Sequence, residues 1–67
     1  MNEPKYPNIT VQLSGNSGNG FEIASNVRMA LKQHNVPKNE QEAFFDEALS
    51  GDYDHLLTTC SEWVWVQ

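Results

Sequence analysis

A small α+β domain with the order β-α-α-α-β is what this chain predicts, and three observations carry the prediction. Residues 8–13 alternate polar and apolar side chains, and three later stretches place apolar residues at helical spacing behind cap-type residues. The chain then ends on the aromatic and β-branched run Trp63-Val64-Trp65-Val66. Two strands alone are marginal in water. The terminal strands are therefore expected to pair with each other in a small sheet packed on the three helices.

The elements follow in order. Residues 1–7 hold two prolines and no periodicity, which predicts an irregular, partly mobile lead-in; residues 8–67 form the single domain. In the first strand Ile9, Val11 and Leu13 share one face, and Thr10 and Gln12 the other. After a glycine-rich stretch, Phe21, Ile23, Ala24, Val27, Ala30 and Leu31 make a helical apolar stripe. Asn19 is the predicted N-cap, with Glu22 three residues on as in a capping box. This helix is expected to stop near His34-Asn35, because Pro37 disfavours helical geometry at Val36 and asparagine tolerates a left-handed terminal position.

A second helix is predicted from Lys38-Asn39, capped by Asn39, through Ala43, Phe44, Phe45, Ala48 and Leu49, with Gly51 ending it. Asp52 is suited to cap a third helix from Tyr53 to about Glu62, whose Leu56, Leu57 and Cys60 form the apolar stripe. The final run reads as a strand from Trp63.

The blocks Gly15-Asn16, Gly18-Asn19, Phe21, Ile23, Gly51-Asp52-Tyr53-Asp54-His55-Leu56-Leu57 and Trp63-Val64 resemble those of a group of small uncharacterised bacterial and phage proteins. The resemblance spans nearly the whole chain beyond its first residues. It implies a free-standing small domain of bacterial or phage type and adds no catalytic assignment.

Sixty-seven residues, 39% of them hydrophobic, suffice for one core and leave little material for a deep substrate cleft. Nine acidic against four basic residues give a net charge of −5, which disfavours direct binding of nucleic acid or anionic membranes and suits a basic protein partner. One cysteine forms no internal disulfide, the first residues lack a signal-peptide pattern, and no apolar run approaches membrane-spanning length. A cytoplasmic location is the expectation.

Residues 14–21, Ser-Gly-Asn-Ser-Gly-Asn-Gly-Phe, are the first candidate site. A strand feeding a glycine-rich loop at a helix N-terminus can cradle a phosphate, with Gly15, Asn16, Gly18, Asn19 and Gly20 supplying backbone donors. The spacing matches neither the dinucleotide fingerprint nor the P-loop, and no lysine follows, so a turn with a helix cap is the plainer reading. Asp52, Asp54 and His55 are the densest set of metal-type ligands, yet aspartates at a helix start are explained by capping and the helix dipole; no metal or cofactor is expected. Cys60 with His34 or His55 would be a nucleophile and base, but His55 and Cys60, five residues apart, face different directions on a helix, and a lone cysteine on an apolar stripe is usually a small core residue; the chain is expected not to be an enzyme.

Trp63 and Trp65 alternate with Val64 and Val66. If the valines point inward with Ile9, Val11 and Leu13, the tryptophans lie on the open side beside Thr10 and Gln12 and mark a partner-binding surface. If the tryptophans are core, the valines face out. Both packings remain open on sequence. The expected function is that of a small acidic, non-enzymatic protein-interaction module of phage or bacterial type, with phosphate or nucleotide binding through residues 15–20 as the alternative. A homodimer through the unprotected final strand is a further expectation.

Overall fold

The helix starts and stops are where local chemistry dominates. In the computed structural model, which describes residues 3–12 and 19–67, the chain runs β1 (Thr10–Val11), α1 (Gly20–Gln33), α2 (Lys38–Ala48), α3 (Tyr53–Trp63) and β2 (Trp65–Val66). Asn19 caps α1, its side-chain oxygen accepting from the amides of Phe21 and Glu22 at 2.9 and 3.4 Å. At the other end Asn35 adopts φ 64°, and the Val36 and Asn35 amides donate to the carbonyls of Leu31 and Lys32 at 3.0 and 3.1 Å. That is a Schellman closure, completed by the buried pair Leu31 and Val36.

The start of α2 departs from expectation. Pro37, not Asn39, is its cap, and it offers no side-chain acceptor. The fixed φ of proline, here −56°, already suits a helix entry, and its carbonyl receives the amides of Glu40 and Gln41. Gly51 likewise does not end the helix, which stops at Ala48, where the Leu49 and Ser50 amides close the last turn on Phe45 and Glu47. Gly51 instead makes room: a β-carbon there would lie 2.9 Å from the His55 ring. Asp52 caps α3 as expected, accepting from the His55 amide at 2.9 Å.

β1 and β2 pair in parallel, with Thr10 opposite Trp65 and Val11 opposite Val66. The Trp65 and Gln67 amides donate to Ile9 and Val11, both at 3.0 Å. Three helices between the strands return the chain to the edge from which it left, so the last strand runs in the direction of the first. Trp63 belongs to the end of α3 and not to the strand. Leu13 lies outside the described residues.

Val64 is fully buried while Trp65 is 44% exposed, so the valine faces the helices. The core gathers Ile9, Val27, Leu31, Phe44, Leu56, Cys60 and Val64 from every layer. Phe21, placed on the apolar stripe by periodicity, is 62% exposed. It sits at the very start of α1, off the buried line of Ile23, Ala24, Val27 and Leu31, and meets Phe45 edge-on at 5.5 Å.

Residues 3–7 of the lead-in have no regular element, yet they are tied down. Pro4 is buried, and the Lys5 and Tyr6 amides donate at 2.8 Å to the carbonyls of Glu62 and Trp63. They satisfy acceptors that the last turn of α3 cannot satisfy itself. Among the described residues no helix is long and apolar enough to cross a membrane.

Candidate functional site

Two surfaces are candidates for a site. The first is the outer side of the sheet. Val11 and Val64 turn inward, so strand alternation turns Thr10 and Trp65 outward as a register pair, with exposed Gln12 two residues beyond Thr10. The structure thus brings Thr10, Gln12 and Trp65 of the expected partner-binding set together on one edge.

Trp63 goes elsewhere. Its half-buried ring stacks on Tyr6 at 6.0 Å between centroids and meets Phe44 edge-on at 5.6 Å. The Lys5 ammonium stands 4.6 Å from its centroid. Glu40 on α2 closes the assembly, pairing with Lys5 and accepting from the Tyr6 hydroxyl at 3.0 Å. The Lys5 and Tyr6 hydrogen bonds hold the Glu40 carboxyl below the usual carboxylate range, and Glu40 in turn raises Lys5. Burial, followed by the bond to Glu40, raises Tyr6. Lead-in, α2 and α3 are clamped here.

Of the glycine-loop candidates, Gly15, Asn16 and Gly18 lie outside the described residues. Asn19 spends its side chain on the cap. Gly20 packs against α3, where a β-carbon would come within 3.0 Å of Leu56 Cδ2. Asp52 is likewise a cap, and Asp54 is exposed in the same first turn. The His55 ring turns back to α2, its Nε2 lying 2.9 Å from the Glu47 carbonyl, 3.0 Å from the Glu47 carboxylate and 3.2 Å from Ser50 Oγ. This ring ties the end of α2 to the start of α3. Among the described residues no group of three or more His, Cys, Asp or Glu is placed to hold a metal ion. Cys60 is buried, and desolvation pushes its thiol up to about 11, so it is protonated and a poor nucleophile at neutral pH.

The second surface was not anticipated. A groove of about 550 Å³ between α1 and α2 is lined by Ser25, Arg28, Met29, Lys32, Lys38 and Gln41. Three of the chain's four basic residues thus share one groove. The signal was present in the sequence: residues 23–39 contain those three cations and no acidic residue. Taken as +3, this stretch leaves −8 for the rest of the chain, which together make the net −5. A net charge alone conceals such a division.

Comparison with protein-family models, with curated proteins and with solved structures found no match.

Proposed function

We propose that this chain is a small acidic, non-enzymatic interaction module of phage or bacterial type that acts in the cytoplasm by docking the outer side of its sheet on a larger protein. The observation that carries the reading is Trp65, 44% exposed on a regular strand, paired with Thr10 and followed by Gln12. An aromatic ring held on a backbone ladder is a low-entropy anchor, and tryptophan is enriched among residues that dominate binding energy. The net charge of −5 favours a basic partner and accelerates encounter at low salt. Direct nucleic-acid binding through this face is not part of the proposal.

The same edge suits pairing with a second copy. Trp65 and Gln67 direct their amides to β1, so alternation turns the Val66 amide the other way, where another strand can extend the ladder. A pull-down from bacterial lysate at low and high ionic strength, run with wild type and Trp65→Lys, tests the docking proposal, and sedimentation at tens of micromolar tests the dimer. Specific retention that Trp65→Lys abolishes supports docking. Retention unaffected by the lysine, or no retained protein at either salt, overturns it. A wild-type monomer overturns the homodimer.

A further inference from the structure

We infer that the α1–α2 groove is a binding site for a small phosphate-bearing polyanion, of the pyrophosphate type found in nucleoside diphosphates and related metabolites. Arg28 and Lys32 are four residues apart on α1 and therefore project from one side of the helix. Lys38, the first residue of α2, faces them across the groove. The two salt bridges among the described residues use Lys5 and His55, so Arg28, Lys32 and Lys38 form no direct salt bridge with a described carboxylate. Like charges gathered around a concave surface focus the potential within it and raise the local concentration of an anion.

The site has a built floor. Gln41 is buried, and its amide donates to the Val36 carbonyl at 2.8 Å. This bond fixes the start of α2 to the helix connection. Arg28 is held over the Phe45 ring at 5.1 Å, which places a planar fork of donors at one end of the groove. Lys32 and Lys38 supply point charges, and Ser25 a hydroxyl, along the remainder. The start of α2, uncapped by the Pro37 side chain, adds the positive end of a helix dipole beside Lys38. Phosphate oxygens match this mixture of a fork, ammonium groups and a hydroxyl. The volume lies within the range of small-ligand sites.

The protein's overall charge does not exclude such a ligand. At physiological ionic strength the screening length is about 8 Å, whereas the molecule measures 26 × 24 × 22 Å. Carboxylates on the far faces are therefore largely screened from the groove. None of the lining residues belongs to the sheet edge, so the test of this site does not depend on the proposed docking function.

Titration of ¹⁵N-labelled protein with sodium pyrophosphate, and separately with citrate, tests the assignment by amide shifts at low and at physiological salt. The expected result is saturable shifts at Ser25, Arg28, Lys32, Lys38 and Gln41, with affinity for pyrophosphate about tenfold weaker at the higher salt. The double variant Lys32→Gln, Lys38→Gln is expected to bind at least about tenfold more weakly while its melting curve stays close to wild type, because both side chains are exposed. Shifts centred on Asn19 and Phe21, shifts that fail to saturate, or equal affinity in the double variant would overturn the site. Citrate binding as tightly as pyrophosphate would overturn the assignment to phosphate.

Discussion

Trp63 and Trp65 are two residues apart in one short run and do opposite things. Trp63 closes the last turn of α3 and is enclosed by Tyr6, Phe44 and the Lys5 ammonium. Trp65 stands on β2 with 44% of its surface in solvent. The switch from helix to strand at Val64 separates them, because it ends the helical period after Trp63 and starts a two-residue alternation from the buried valine. One tryptophan is thereby enclosed by its neighbours, and the other is left exposed to solvent.

Replacing Trp63 by alanine breaks this contrast most strongly. The change removes two aromatic contacts and the surface on which the lead-in rests, and the expected loss is about 2–4 kcal/mol. For 67 residues the total stability is on the order of 3–10 kcal/mol, so urea denaturation should show a large fall in midpoint. An unchanged midpoint would mean that the clamp around Trp63 is not part of the cooperative unit.

The helix caps set a scale between the two tryptophans. Asn19→Ala and Asp52→Ala each leave helix-start amides without a side-chain acceptor, and each is expected to cost about 1 kcal/mol in the same assay. Asn39→Ala, at the position where pattern predicts a cap and the structure has none, should cost less than about 0.5 kcal/mol. Equal losses at positions 39 and 52 would contradict the Pro37 start of α2.

The pH response should also divide the tryptophans. Glu40 is depressed, so its contribution is present above the ordinary carboxylate value and is lost as pH falls through its lower folded value. Lys5 and Tyr6 are raised; what they contribute is present below their ordinary values and is lost as pH rises through the folded ones. The clamp is thus expected to loosen at both extremes. Fluorescence of a Trp65→Phe variant, which reports Trp63 alone, should change in acid and in alkali before global unfolding. Trp63→Phe should show no such early change, and identical profiles would refute the division.

Trp65→Ala should have the smallest effect on stability, within about 0.5 kcal/mol, because the ring is substantially solvated. Its consequence belongs in binding: a retained partner should be lost with the fold intact by circular dichroism. A variant that unfolds would show Trp65 to be structural like its neighbour.

Local sequence by itself determined the element order and most of the punctuation. Asn19, Asn35 and Asp52 act through hydrogen bonds or backbone angles spanning a few residues, so their roles can be read without knowing what packs nearby. The direction of the terminal run was different. Pattern reads Trp63 as strand and leaves open whether the tryptophans or the valines face the core; the packing ends α3 at Trp63, with amide bonds from Lys5 and Tyr6 to its last carbonyls, and buries Val64 against the helices. The clamp joins Tyr6 to Glu40 across 34 residues, a separation at which no local pattern carries information. The basic groove lies between these cases. Its uneven charge is written in residues 23–39, but charges near one another in sequence can scatter over a surface. It took the packing of α1 against α2 to point Arg28, Lys32 and Lys38 into one space, because a helix sets the direction of its own side chains and only tertiary contact sets what stands opposite.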